Sequence, residues 1–336
     1  MVYKKPQVPS VHYSDFQSSM PNLAGKTFAI TGTTSGTGKV AAQALASKGA
    51  RLILLNRSSE RSEKGLIELK QAYPSADIEQ VDCDLQSFTA VRQAIRQVKH
   101  LCPNGLYALI NNAGIMAMPD QATEDGFDIQ MQTNHLSHFL LSCELFPLLK
   151  QAAEVHGEAR LINHSSIARL AVKKLETSYL EKRGGQLGGN GASMLFSGAR
   201  WVRYGQTKLA NAVFTAALHQ KLQQAQSKVK ALVAHPGFAN TELQVTTNKN
   251  GGMSSWSSLG AKWISQSAED GALGLLSCAV LPEAQSGEFY GPGKGIFATK
   301  GKAIGFSLQK QCTRQDSIDL LWSKSCEAIE QEFVID

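Results

Sequence analysis

The stretch Thr27-Phe28-Ala29-Ile30-Thr31-Gly32-Thr33-Thr34-Ser35-Gly36-Thr37-Gly38 decides how the rest of the chain is read. Its first five residues form a short apolar run, as a buried strand requires. Glycines follow at 32, 36 and 38, and Lys39 to Lys48 then carries alanine and leucine at helical spacing until Gly49. A strand, glycine turn and helix in this order let backbone approach a pyrophosphate with no Cβ in the way. The free N–H groups of the helix N-terminus then face the phosphates. Alone, such a glycine pattern is weak evidence, since ordinary turns use glycine too.

The alternation continues downstream. Arg51 to Leu55 reads as a buried strand, Glu60 to Tyr73 as an amphipathic helix, Ile78 to Val81 as a strand and Phe88 to Val98 as a helix. Leu106 to Ile110 is strand-like and Phe127 to Lys150 reads as one long helix. Leu161 to Asn163 and Val229 to Ala234 are further strands, separated by a helix starting near Arg203. Strands alternating with helices predict an α/β fold: a single Rossmann-type, doubly wound parallel sheet with helices on both faces.

The 336 residues exceed one α/β domain of ~250 residues, and three segments stand outside the alternation. Residues 1–23 are polar and proline-dotted. Residues 169–202 form a glycine-rich insertion, and 295–336 end in a helix from about Asp316 to Gln331. The expected catalytic domain is therefore 24–294, with additions at both ends. Apolar residues at 43% and charged ones at 18% exclude disorder along the whole chain. No apolar run reaches the ~20 residues of a membrane span, and no secretory signal opens the chain. Six scattered cysteines without a C-x-x-C pair fit a reducing compartment, and a cytoplasmic location is expected. The cysteines form no metal-type cluster with histidine, so no metal site is expected, and the charge of +6 is spread along the chain, so nucleic-acid binding is not expected either.

The T-G-x-x-x-G-x-G turn is followed in order by Asn111-Asn112-Ala113-Gly114, Asn134, Ser166, Tyr204-x-x-x-Lys208 and Pro236-Gly237. With these motifs the sequence resembles the short-chain dehydrogenases/reductases from about Ala24 to Tyr290. Thr133-Asn134-His135-Leu136-Ser137-His138-Phe139 and Lys208-Leu209-Ala210-Asn211 look like its retinol-dehydrogenase-like branch, which also holds relatives of protochlorophyllide reductase. Ser137 stands where that branch usually has glycine. The resemblance implies a nicotinamide cofactor held by Gly32, Thr34, Ser35, Gly36, Thr37, Gly38, Asn112, Ala113, Gly114, Tyr204, Lys208, Pro236 and Gly237. Asp84 and Leu85 match the family's adenine-contacting position, and Thr241 is a candidate for the carboxamide or a phosphate. The second strand ends in Asn56-Arg57-Ser58 with no carboxylate for a ribose hydroxyl. Arg57 offers planar donors to a 2′-phosphate, so NADP(H) is expected over NAD(H). Lys39 is either a second positive charge there or a solvated first-turn lysine.

Tyr204 and Lys208 stand four apart, so on a helix both project from one face. A phenol can exchange a proton with a carbonyl or alcohol oxygen, and a neighbouring ammonium favours its ionised form. Tyr290 also has a lysine four residues on, but its Gly and Pro neighbours forbid a helix. Tyr179 has Arg183 at that position. By the family pattern Ser166 holds the substrate oxygen, with Ser165 as its rival, and Asn134 helps retain a water near Lys208. The expected activity is interconversion of a carbonyl and an alcohol on a hydrophobic small molecule. Leu170, Leu195, Phe196, Trp201, Phe238, Trp256 and Trp263 either wall its pocket or pack the insertion. Two other functions stay open, a non-catalytic NADP(H) sensor or scaffold and a light-dependent tetrapyrrole reductase. The resemblance also leaves open a homodimer formed through helices 127–150 and 203–224.

Overall fold

The apolar run at 27–31 is an interior strand of one eight-stranded sheet. A computed structural model describes residues 8–191, 198–238, 247, 266–294 and 299–336. In chain order the elements are α1 (Tyr13–Ser19), β1 (Thr27–Thr31), α2 (Gly36–Ala46), β2 (Arg51–Asn56), α3 (Glu60–Ala72), β3 (Ile78–Asp82), α4 (Phe88–Leu101) and β4 (Ala108–Asn111). There follow α5 (Ile129–Met131), α6 (Ser137–His156), β5 (Ala159–His164), α7 (Ala199–Gln224), β6 (Val229–Ala234), α8 (Ala268–Gly271), α9 (Leu273–Val280), β7 (Glu288–Lys294), β8 (Lys300–Ser307) and α10 (Gln315–Ile329). The spatial order is β3-β2-β1-β4-β5-β6-β7-β8. Each pair from β3 to β7 is parallel, so the Rossmann-type expectation holds. The order reverses between β1 and β4, where an open α/β sheet places its crevice.

Local chemistry accounts for the helices. Ser59 and Ser62 form a reciprocal capping box at the start of α3. Ser87 caps α4, whose Val91, Ala94, Ile95 and Val98 recur at helical spacing and face the sheet. Two apolar layers result. Helices α4, α6, α7 and α10 cover one face of the sheet, while α2, α9 and part of α3 cover the other. Among the described residues no helix is long and apolar enough to cross a membrane.

Four expectations change. The first sheet helix begins at Gly36 rather than Lys39, because Ser35 is its extended N-cap. The helix expected over 127–150 is interrupted: Asp128 caps α5, a π turn spans Gln132–Leu136, and α6 begins only at Ser137. The sheet is not wholly parallel, since β8 runs antiparallel to β7. Only five residues separate β7 from β8, too few for the crossover a parallel pair needs. The polar N-terminal segment is docked, with Ser10 Oγ, Val11 N, His12 N and Tyr13 N all donating to the Asp270 carboxylate at 2.8–3.0 Å.

Candidate active site

The glycine turn is held rigidly by polar groups at the ends of three strands. Thr31 Oγ1 accepts from the backbone N–H groups of Asn112 (3.0 Å) and Ala113 (2.9 Å). Asn112 Nδ2 donates to the carbonyls of Thr31 (2.9 Å) and Gly32 (3.1 Å), and Asn56 Oδ1 accepts from Thr33 N at 2.8 Å. Gly32 has φ +73°, and a Cβ there would lie 2.8 Å from the Ala113 side chain. A Cβ at Gly38 would collide with the Gly32 carbonyl oxygen. Ser35 spends no side-chain bond on capping α2, so the first-turn N–H groups are left for a ligand.

This turn opens into a cleft of about 280 Å³. Gly32, Thr34, Ser35, Gly36 and Thr37 line one end, Asn112, Ala113 and Gly114 the middle, and Tyr204, Lys208 and Pro236 the far end. Tyr204 and Lys208 share one face of α7 and are 3% and 4% exposed. The Lys208 ammonium stands 5.7 Å from the centre of the Tyr204 ring, and its Nζ donates to the His164 carbonyl at 3.0 Å. Burial pushes the Tyr204 phenol up to about 12, partly offset by a hydrogen bond with Ser166. Burial brings Lys208 down to about 8. The phenol is therefore protonated at neutral pH.

The two serines separate by their partners. Ser165 Oγ donates to the backbone carbonyl of Lys208 at 2.6 Å, which fixes strand β5 to helix α7. Ser166 accepts from Ala168 N at 3.2 Å and reaches the Tyr204 hydroxyl, so it is the serine placed with the phenol. Asn134 lies in the π turn, and its side chain makes three hydrogen bonds. It accepts from Ile115 N (2.8 Å) and donates to Ile115 O (2.9 Å) and Thr207 Oγ1 (3.0 Å). That ties the segment after Gly114 to α7. A Cβ at Gly114 would come within 3.1 Å of Asn134 Oδ1 and 3.4 Å of Lys208 Nζ.

Several residues singled out in the sequence are not brought to the cleft. Arg57 is exposed and does not line it; Arg61, in the first turn of α3, does. Lys39 pairs with Glu68 at 2.8 Å on the surface. Asp84 accepts from Gln86 N, while Leu85 is buried in the core and its carbonyl takes the Ser137 hydroxyl. Gly237, with φ +62°, packs against the Thr299 backbone beside Pro236. Thr241, Leu195, Phe196, Trp256 and Trp263 lie outside the described residues. Trp201 is buried edge-on to Tyr204 at 6.0 Å and clusters with Ala117 and Ala168, making an apolar wall beside the phenol. Leu170 is exposed.

Sequence reasoning missed three contributors. Arg61 follows Arg57 by four residues, and helical spacing into the first turn of α3 was the available signal. His164 lines the cleft just before Ser165, and its Nδ1 lies 2.9 Å from Asn112 Oδ1. Arg203 is fully buried beside Tyr204. It pairs with Asp128 (3.3 Å) and Asp120 (3.6 Å) and donates to the carbonyls of Leu187 and Gly189, which anchors the insertion.

Comparison with known proteins agrees with this geometry. Residues 26–180 match the family model described as short chain dehydrogenase. The chain is 37% identical over 215 residues to the chloroplastic short-chain dehydrogenase TIC 32 A of Brassica napus, covering 64% of each chain. It is 34% identical over 250 residues to human retinol dehydrogenase 13, covering 72% of this chain and 67% of that one. A crystal structure of an uncharacterised protein from Mycobacterium paratuberculosis superposes with a TM-score of 0.72 at 29% identity, over 98% of this chain and 100% of the other. With the fold, the glycine turn and these relatives together, the chain belongs to the short-chain dehydrogenase/reductase family of oxidoreductases and has retinol-dehydrogenase-like relatives.

Proposed function

We propose that the protein is an NADP(H)-dependent oxidoreductase that interconverts an aldehyde or ketone and an alcohol on a hydrophobic small molecule, with Tyr204 as acid/base. The observation that carries this is the convergence of Tyr204 and Lys208 at one end of a cleft whose other end is a glycine turn and open helix N-terminus, with Ser166 hydrogen-bonded to the phenol from outside the cleft lining. The residues fit a dinucleotide: Gly32, Gly36 and Gly114 line the cleft with backbone alone, from the helix N-terminus to the Tyr204 end. The turn and the first N–H groups of α2 would take the diphosphate. A bound nicotinamide supplies or accepts hydride.

In reduction, the Tyr204 hydroxyl gives its proton to the carbonyl oxygen as negative charge develops there, and Ser166 donates a hydrogen bond to that oxygen. Lys208 holds positive charge beside the phenol and favours its ionised form, which oxidation of an alcohol needs. Trp201, Ala117 and Ala168 exclude water from one side and favour an apolar substrate. The preference for NADP(H) is supported by Asn56, which turns its side chain inward to Thr33, and by Arg61 at the cleft. Six free, buried cysteines support a cytoplasmic location.

The test is a screen of aldehydes and ketones with NADPH and NADH, followed by Tyr204→Phe on the best substrate. Turnover with NADPH and a loss of about 10²–10⁴ in the variant are expected. Undiminished turnover by Tyr204→Phe would remove the assignment.

A further inference from the structure

We infer that the C-terminal helix α10 positions Lys208 through a buried hydrogen-bond chain, Ser325–His135–Asn211–His164; this rests on Lys208 serving the cleft as proposed above. The chain is continuous. Ser325 Oγ lies 3.0 Å from His135 Nε2, and His135 Nδ1 lies 3.3 Å from Asn211 Oδ1. Asn211 Nδ2 donates at 2.9 Å to the His164 carbonyl oxygen, the same oxygen that accepts Lys208 Nζ at 3.0 Å. Ser325 and His135 are 0% exposed and Asn211 is 2% exposed, so water does not compete with these bonds.

The direction of every link is determined. Asn211 commits its amide nitrogen to a carbonyl, so its Oδ1 is the acceptor end. His135 must then carry its proton on Nδ1, which leaves Nε2 a bare acceptor for the Ser325 hydroxyl. Burial keeps the ring neutral, with its pKa down at about 3. Reversing any link would strand a buried donor or acceptor, which costs about 1–3 kcal/mol in a protein interior.

The shared carbonyl matters because little else holds the ammonium. The titratable groups around it are Tyr204 on its own helix, His164 on β5 and His138 on α6; none is an anion at neutral pH. Among the described residues, no carboxylate contributes to the shift of Lys208. The His164 carbonyl therefore sets where Nζ stands, Asn211 sets the carbonyl, and α10 closes the chain from the far side of α7. Ser325, His135 and Asn211 are positioning residues that act through this oxygen.

The experiment compares wild type with Ser325→Ala, Ser325→Thr and Lys208→Ala, using Ser323→Ala on the exposed face of α10 as control. Two quantities are read: the NADPH dissociation constant by fluorescence, and the pH midpoint for acetylation of Lys208 by acetic anhydride. Ser325→Ala is expected to weaken NADPH binding about fivefold, the effect of one hydrogen bond. It is also expected to move the midpoint from near 8 toward the ordinary lysine value, as water enters. Ser325→Thr keeps the hydroxyl and restores both. If Lys208→Ala loses NADPH affinity while Ser325→Ala matches wild type, the positioning chain is wrong and the cleft assignment stands. If Lys208→Ala binds NADPH normally, the cleft assignment itself fails. Nitrogen-15 NMR of His135 in the unmodified protein gives an independent check, since a proton found on Nε2 overturns the chain without any variant.

Discussion

Burial brings the Lys208 ammonium down to about 8, against an ordinary value of 10.5, and that difference has a consequence for stability. The unfolded chain binds a proton there up to about 10.5, while the folded chain releases it near 8. The folding penalty is therefore full below pH 8, shrinks between 8 and 10.5, and vanishes above. At about 1.4 kcal/mol per unit the penalty is on the order of 3 kcal/mol. Lys208→Met is accordingly expected to raise the thermal midpoint at pH 7 while abolishing activity; a lower midpoint would contradict this. Arg61→Ala is expected to weaken NADPH binding more than NADH binding, because only the phosphorylated ribose presents a dianion. Equal losses for the two cofactors, measured by fluorescence titration, would place the 2′-phosphate elsewhere. Tyr204 and Lys208 were legible in the sequence because their helical spacing coincides with a helical stretch and with the order of the family's motifs, which the same spacing at Tyr290 lacks. Arg61 and His164 were not, because their places depend on how α3 and β5 dock at the sheet edge of the cleft, which no local pattern encodes.

At the level of elements, the alternation of apolar runs with amphipathic helices was enough to find β1 to β6, since a parallel strand covered on both faces must be apolar throughout. β8 was hidden for the converse reason. It lies at an edge, most of its residues are exposed or half-buried, and Lys300-Gly301-Lys302 carries no strand signature. The π turn at Gln132–Leu136 was likewise invisible, because the helical period continues through it. It re-aims Asn134 toward Ile115 and Thr207, as such bulges do at functional sites. Arg203 is a buried anchor of the insertion, beside Asp120, which accepts from Leu187 N and Gly189 N. Removing the Arg203 guanidinium leaves Asp120 and Asp128 buried and unpaired, so Arg203→Leu is expected to destabilise the fold by about 3–5 kcal/mol. Limited proteolysis should then cut faster near Gly184–Gly191, and an unchanged cleavage rate would show that other contacts hold the segment.

For the whole molecule, the two helices through which the family resemblance left pairing open are covered from within. Trp322 of α10 and Phe333 beyond it stack at 5.1 Å and pack on Phe139 of α6 and Phe214 of α7. A second copy would have to displace this aromatic cluster, so light scattering is expected to give a mass near 36.3 kDa. A mass of twice that value would mean that another surface pairs. The antiparallel hairpin at the end of the sheet bears on how the protein survives at high concentration. Among the described residues strand β8 is the last of the sheet, and Ile304 on it is 51% exposed. Lys300 and Lys302 stand on the same strand, and two such edges meeting would bring like charges into register. Those lysines thus act as gatekeepers against sheet-to-sheet aggregation, a task separate from anything that happens in the cleft.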